Sequence, residues 1–222
     1  MGYRFSDLTA SCADDWHAYI EHEFVCALGD GTLDGEAFRH YLQQDYLFLI
    51  HFARAYALAA YKSRSLSDLR HAHEGLKAIL DVELDLHVSY CREWGITEAE
   101  LAALPEARAT LAYTRYVLDT GHRGDLLDLH VALAPCLVGY GVIANWLGER
   151  VETVRGDANP YDAWIAMYES DEFQAAMHAE IAWLDARLAE VSAARFAELT
   201  EVFRDAIRLE IDFWQMGLDR AL

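Results

Sequence analysis

One stretch of the chain, residues 129–147, constrains the fold strongly because it is almost wholly apolar and reads as a buried helix. Cys136 and Tyr140 lie four residues apart in it and so share one face, beside small neighbours that would leave room for a ligand. Pro135 cannot donate an amide hydrogen bond, so the sequence predicts a kink next to Cys136. The alternative interpretation of Cys136 is a structural cysteine in a close-packed helix.

The rest of the chain is also expected to be helical, since it holds three prolines, few strand-like alternations and many alanine, leucine and glutamate residues. We predict a single all-α domain over residues 1–222. Long helices are predicted at about residues 6–28, 34–62, 67–94 and 192–218, with shorter ones between residues 97 and 191.

Charge and cysteine content narrow the possible partners. The chain has 18 basic and 37 acidic residues, a net charge of -19 that repels nucleic acid and anionic lipid. We see no charged-then-apolar leader and no apolar run that approaches membrane-spanning length, which favours a cytoplasmic protein with no membrane partner. The four cysteines have no Cys-x-x-Cys spacing, which fits a reducing compartment.

The second predicted helix places a carboxylate on an aromatic face. Within about 60° of Asp45 on the helical wheel lie Phe38, Tyr41, Leu42, Phe48, Leu49 and Phe52. A buried carboxylate is costly unless it is hydrogen-bonded, so Asp45 is either a binding residue or an acid satisfied by a tyrosine, tryptophan or backbone donor.

The last predicted helix repeats this pattern. Glu210 is flanked by Phe203, Ala206, Ile207, Phe213, Trp214 and Gly217, with charged residues on the opposite side. A carboxyl held among aromatic rings is expected to have a raised pKa, which suits an acid or base near neutrality. The alternative is a core glutamate that is hydrogen-bonded for structural reasons.

Taken in chain order, five motifs resemble the TenA family, the thiaminase II enzymes, over nearly the whole chain. They are Gln44-Asp45 with Phe48; Ala112-Tyr-Thr114; Pro135-Cys136 with Tyr140; Asn159-Pro-Tyr161 with Trp164, Ile165 and Tyr168; and Glu210 with Phe213 and Trp214. The resemblance implies a haem-oxygenase-like multi-helix bundle that binds neither haem nor another cofactor, and a homotetramer.

The resemblance also implies an activity in thiamin salvage. The family hydrolyses 4-amino-5-aminomethyl-2-methylpyrimidine to the hydroxymethyl compound and cleaves thiamin more slowly. Cys136 would be the nucleophile, Asp45 would hold the ring nitrogen and the exocyclic amine, and Glu210 would shuttle protons. The remaining side chains expected at the substrate are Phe48, Tyr113, Tyr140, Tyr168 and Phe213. The interpretation requires the thiol and the two acids to converge on one small cavity.

Two other interpretations remain open at this stage. Glu83 and His87 stand at i, i+4 and could hold a metal, which would favour a di-metal oxygenase of the same fold, although the chain has no pair of Glu-x-x-His motifs. A pyrimidine-binding or regulatory protein without catalysis would keep the pocket but would not need a thiol. We predict no metal site.

Overall fold

The computed structural model describes residues 2–222, in which helices account for all regular secondary structure, so the all-α prediction is confirmed. In chain order the helices are α1 (Phe5–Ser11), α2 (Ala13–Ile20), α3 (Glu23–Gly29), α4 (Gly35–Lys62), α5 (Leu66–Ala78), α6 (Leu84–Glu93), α7 (Glu98–Ala102), α8 (Arg108–Arg123), α9 (Leu126–Ala134), α10 (Tyr140–Glu149), α11 (Asp162–Glu169), α12 (Asp171–Leu188) and α13 (Ala193–Asp219). Two π-helical turns, Ile79–Glu83 and Pro135–Gly139, join α5 to α6 and α9 to α10.

The chain comprises two compact units, each made of segments that are distant in sequence. The first unit contains the segment up to Leu33 together with Val131–Trp214, and the second contains Asp34–His130 together with Gln215–Leu222. We describe each unit by itself. That residues 1–222 form a single domain stays a prediction.

In the second unit, α4 has the bounds that the sequence predicts. The Asp34 carboxylate accepts hydrogen bonds from the amides of Glu36 and Ala37, and so satisfies two donors that have no partner within the helix. α5 packs closely against α4 because Gly75 has no side chain. A Cβ added there would lie 2.3 Å from Cε1 of Tyr56.

The predicted helix over residues 67–94 is interrupted. Between α5 and α6 the turn Ile79–Glu83 is π-helical, and the amide of Leu84 donates to the carbonyl of Ile79 instead of to that of Leu80. The turn contains neither proline nor glycine, so the sequence carried no signal for it. The wider turn ends at Glu83, immediately before the helix α6 that carries His87.

In the first unit, the prediction of one helix over residues 6–28 is wrong. Three short helices, α1 to α3, replace it, with breaks at Cys12 and between residues 20 and 23. Local capping accounts for the second break: Nδ1 of His22 accepts the amide of Phe24, a donor that has no partner inside α3. Side-chain caps compete with continuation of a helix, and histidine is not a usual capping residue.

Asn159, in the loop after α10, connects that loop to the end of α3 by hydrogen bonds. Its side-chain amide donates to the carbonyls of Leu28, Gly29 and Val154, and its Oδ1 accepts the amide of Tyr161. The helix α11 begins at Asp162, two residues after Pro160.

The helical segment Leu126–Glu149 runs over 24 residues, and an 18-residue window in it has a mean hydropathy of 1.8. The expectation that no apolar run approaches membrane-spanning length is therefore wrong for this segment. Of that window, 78% is buried inside the protein, as in a core helix of a soluble protein. Its hydropathy reflects packing in the core, and it is weak evidence for a membrane span.

Candidate active-site residues

Cys136 lies in the π-helical turn Pro135–Gly139, which is the distortion predicted beside Pro135. The side chain is buried, at 9% exposure. Tyr19 donates its hydroxyl hydrogen to the carbonyl of Pro135 over 3.1 Å, which stabilises the turn from outside the helix. Gly139 makes this contact possible, since a Cβ there would lie 2.4 Å from Cε1 of Tyr19.

Tyr140 and Tyr168 belong to one buried aromatic cluster of the first unit. Their ring centroids are 5.0 Å apart, and Trp164 lies 4.5 Å from Tyr168. Trp214 of α13 lies 5.3 Å from Tyr140. Tyr140 follows Cys136 by one turn of the same helical segment. Its phenol ring is held by the other rings of the aromatic cluster.

Glu210 and Phe213 lie on the buried face of α13, as predicted. Glu210 is 1% exposed and Phe213 is 2% exposed. Trp214, four residues after Glu210, connects this part of α13 to the aromatic cluster of Tyr140. An inward glutamate in such a setting can serve as an acid or base, and its catalytic role stays a prediction.

Asp45 is buried in the second unit, where two side chains contact its carboxyl group. The hydroxyl of Tyr41 donates to Oδ2 over 3.1 Å, and Nε2 of His87 lies 2.7 Å from the same oxygen. The tyrosine donor was one of the partners that the sequence allowed for a buried aspartate. His87 as its partner was missed, because the contact joins residues that are 42 positions apart.

The second nitrogen of His87 is also occupied. Nδ1 lies 2.7 Å from the backbone carbonyl of Glu83, which can only accept a hydrogen bond, so Nδ1 carries a hydrogen. With Nε2 directed at Asp45, neither ring nitrogen is available to a metal. Glu83 and His87 lie together beside Asp45, but the interpretation as a metal-binding pair does not fit this geometry.

The ionisation of this cluster is strongly perturbed. Burial alone would lower the pKa of His87, but the Asp45 charge, the hydrogen bond to Asp45 and the Glu83 carbonyl together raise it above its ordinary value. Desolvation, followed by repulsion from Asp45, raises the pKa of Glu83 to about 7. Glu83 is half-buried. A carboxyl with a pKa of about 7 titrates near neutrality.

Phe48 and Tyr113 lie together in the second unit, with ring centroids 4.9 Å apart, and both are buried. Phe48 is one turn after Asp45 on α4 and so shares its face. Gln44, the other member of that motif, has a structural role. Its Oε1 accepts from Ala107 N and Thr110 Oγ1, and its amide donates to the carbonyl of Pro105, which anchors the start of α8 on α4.

The helical fold holds a buried thiol in the first unit and a buried histidine-aspartate pair in the second, which are side chains that enzymes acting on small molecules use. Residues 10–220 match the model of the TENA/THI-4/PQQC family, and the chain belongs to this family. The resemblance inferred from the five motifs is thereby confirmed.

Relatives and solved structures agree with this assignment. An aminopyrimidine aminohydrolase from Halalkalibacterium halodurans is 37% identical, over 93% of this chain and 92% of that protein. A structure described as a TenA family transcription regulator, from Silicibacter, is 43% identical with a TM-score of 0.90 and covers 98% of this chain and 97% of its own. A domain with a heme oxygenase-like fold from Shewanella denitrificans is 13% identical with a TM-score of 0.72, over 98% and 93% of the two chains. The predicted haem-oxygenase-like fold is confirmed.

Proposed function

We propose that this protein is an aminopyrimidine aminohydrolase of thiamin salvage. It converts 4-amino-5-aminomethyl-2-methylpyrimidine and water to the hydroxymethyl compound and ammonia, and cleaves thiamin more slowly. The observation that carries the proposal is the 37% identity, over nearly the full length of both chains, to a protein named for that activity. The chemistry of the buried residues supports it.

Cys136 is the proposed nucleophile. The amine on a methylene attached to an aromatic ring leaves readily only after electrons have been pushed into the ring, and a thiolate is the best protein nucleophile for that addition. The sulfur forms a bond to a ring carbon and the ring electron pair moves onto a ring nitrogen. The π-helical turn supports this role, because such turns are frequent at functional sites and here one carries the thiol.

Asp45 is proposed to recognise the ring. An aminopyrimidine presents a hydrogen-bond acceptor, the ring nitrogen, beside a donor, the exocyclic amine, and a carboxyl group matches this edge. Phe48, Tyr113 and Phe213 are proposed to contact the ring faces and borders. The 4.9 Å contact between Phe48 and Tyr113, close to Asp45 along α4, supports the assignment of the first two.

Glu210 is proposed to supply the proton with which the amine leaves and then to accept a proton from the attacking water. Water adds to the exocyclic methylene, the S–C bond breaks and Cys136 is regenerated as thiolate. Tyr140 and Tyr168 are proposed to assist by hydrogen bonding. Their contact with each other, and that of Tyr140 with the α13 residue Trp214, support a common location in the first unit.

We also propose a cytoplasmic homotetramer. Several apolar side chains on α4, α5 and the first π-helical turn are exposed, which is typical of an interface between copies of a chain. They are Tyr61, Leu66, Leu69, Leu80 and Val82. Light scattering of the purified protein tests this; a monomer would contradict the tetramer without affecting the proposed chemistry.

The name of the Silicibacter structure raises regulation of transcription as a second candidate. The net charge of -19 opposes it, because a protein that binds DNA directly must neutralise phosphates with basic groups. Titration with mixed double-stranded DNA at low salt should give no binding.

The deciding experiment measures ammonia release from 4-amino-5-aminomethyl-2-methylpyrimidine, beside thiamin cleavage, by the purified wild-type protein. We expect turnover of both, faster with the aminomethyl compound. Tight binding without turnover would instead favour a pyrimidine-binding protein and contradict the enzyme.

A further inference from the structure

The Asp45 carboxyl group is used by the protein on one side only. Both hydrogen bonds that it receives from residues 2–222 end at Oδ2, from Tyr41 and from His87. Oδ1 receives none within that part of the chain, so its capacity to accept a hydrogen bond is unused. The two oxygens are therefore chemically distinct, and only Oδ2 shares a hydrogen with an ionisable partner.

His87 has one mobile hydrogen. The bond from Nδ1 to the Glu83 carbonyl fixes the hydrogen on that nitrogen, because a carbonyl cannot donate. The hydrogen between Nε2 and Oδ2 can lie on either atom, as an imidazolium beside a carboxylate or as an imidazole beside a carboxylic acid. The side chain is 0% exposed, so this hydrogen is not exchanged directly with bulk water.

Recognition of an aminopyrimidine edge by a carboxyl needs this hydrogen. The exocyclic amine donates to one oxygen, and the adjacent ring nitrogen is an acceptor that must receive a hydrogen from the other. A bare carboxylate has no hydrogen to give. A carboxylate paired with a charged imidazole has one available through Oδ2, while Oδ1 accepts from the amine.

We propose that His87 is a positioning residue that stores, on Nε2, the proton that passes through Oδ2 of Asp45 to the ring nitrogen of the substrate. This inference rests on the proposed function and deepens it. As the Cys136 sulfur bonds to the ring carbon, the electron pair moves to the ring nitrogen. The Nε2 proton of His87 then passes to Oδ2 and from Oδ2 to that nitrogen, so His87 becomes neutral and Asp45 remains a carboxylate. When the thiolate leaves, the proton returns by the same route.

The groups that act on His87 come from two neighbouring elements. Asp45 and Tyr41 face it from α4, and Glu83 precedes it in the π-helical turn. The charge of Asp45 favours the charged imidazole and raises the pKa of His87, as does any negative charge on Glu83. The contact of Nε2 with Oδ2 places the His87 proton directly beside Asp45.

The kinetic test compares His87→Gln with Tyr41→Phe. Glutamine keeps a donor for Oδ2 but cannot release a proton, whereas Tyr41→Phe removes the other donor to Oδ2 and leaves His87 intact. For His87→Gln we expect kcat to fall by about 10²-fold, more than affinity for the hydroxymethyl product falls, because glutamine still donates to Oδ2 but supplies no proton to the ring nitrogen. We expect kcat/KM of the wild type to decrease with rising pH as His87 loses its proton, and this decrease should disappear in His87→Gln and persist in Tyr41→Phe. An unchanged pH profile in His87→Gln, or a loss confined to binding, would overturn the proposal.

A measurement on the unmodified protein covers the case in which His87→Gln does not fold. In spectra of protein with ¹⁵N-labelled histidine, the signals of His87 are assigned as those whose chemical shift changes in Tyr41→Phe. We expect both ring nitrogens of His87 to be protonated at pH 7. A neutral His87 at that pH would overturn the stored proton. If the wild type released no ammonia, the proposed function would fail, and the spectrum would still decide whether His87 holds the proton.

Discussion

The imidazole of His87 bridges two backbone segments, with Nε2 lying 2.7 Å from Oδ2 of Asp45 and Nδ1 lying 2.7 Å from the carbonyl of Glu83. Because both ring nitrogens make a hydrogen bond, the orientation of the imidazole is fixed, and so is the hydrogen on Nδ1. Substitutions of Asp45 or Glu83 are therefore expected to alter both the stability of the protein and the pKa of His87.

Replacing Glu83 with glutamine should change how stability depends on pH. The pKa of Glu83 is about 7 in the folded protein and near 4.5 in the unfolded chain. Ionisation of Glu83 therefore lowers the free energy of unfolding as pH rises from 4.5 to 7. Above that range the cost is on the order of 3 kcal/mol. Urea unfolding should therefore show Glu83→Gln more stable than wild type at pH 8 by that order, and no more stable at pH 4.

The same experiment has a matched control on the adjacent helix. Asp85 is an exposed acid on α6, and Asp85→Asn should shift the unfolding free energy by a small amount that is similar at both pH values. An equal gain for Glu83→Gln at pH 4 and pH 8 would contradict the assigned burial of its charge.

His87 changes the free energy of unfolding in the same direction. Because the pKa of His87 is raised in the folded protein, its contribution to stability is complete below about pH 6.5 and is lost as pH rises through the folded pKa.

Cys136→Ser should abolish turnover and leave pyrimidine binding within a few-fold of wild type, because serine is a far weaker nucleophile of similar size. Ammonia release and calorimetric titration with the hydroxymethyl product measure the two effects. Cys26→Ser is the control, since that thiol lies in α3 and donates to the Glu21 carbonyl. Full activity of Cys136→Ser would exclude covalent catalysis by this residue.

Glu210→Gln should lower kcat far more than it weakens binding. Glutamine fills the same buried volume but cannot transfer a proton, and general acid-base catalysis contributes about 10²- to 10⁴-fold. Steady-state kinetics and product titration separate the two effects. Equal losses in rate and in binding would make Glu210 a binding group only.

Asp45→Ala should chiefly weaken binding, by about 2 to 4 kcal/mol if a charge-assisted hydrogen-bond pair is lost. His87 would then lack its buried counter-ion, so the pKa of His87 should fall, which ¹⁵N spectra of labelled histidine can follow. An affinity for the hydroxymethyl product equal to that of wild type would remove Asp45 from the substrate contacts.

Gly139→Ala should destabilise the protein by about 1 to 3 kcal/mol, because the new methyl group would overlap the ring of Tyr19. The displaced Tyr19 would also lose its hydrogen bond to the Pro135 carbonyl. Gly35→Ala, at a helix start with no neighbouring atom within 4 Å, is the control and should be neutral or slightly stabilising in thermal unfolding. Equal melting temperatures for the two variants would contradict the close packing around Cys136.

The sequence by itself determined the helical class, the bounds of α4 and α13, the kink at Pro135 and the inward direction of Asp45 and Glu210. These features follow from residue spacing, from capping side chains and from the missing amide of proline, all of which act over one or two turns. The family motifs added the expected roles of the buried acids and of Cys136.

Only the tertiary structure decided the rest. No proline or glycine lies at the breaks between α1, α2 and α3 or in the π-helical turn Ile79–Glu83, so the sequence did not predict them. The pairing of His87 with Asp45 joins α6 to α4, and two of the three carbonyls that accept from Asn159, those of Leu28 and Gly29, are far from it in sequence. Such contacts form because buried polar groups need hydrogen-bond partners, and these partners can come from any segment that packs nearby. Residue spacing alone does not predict which segments those are.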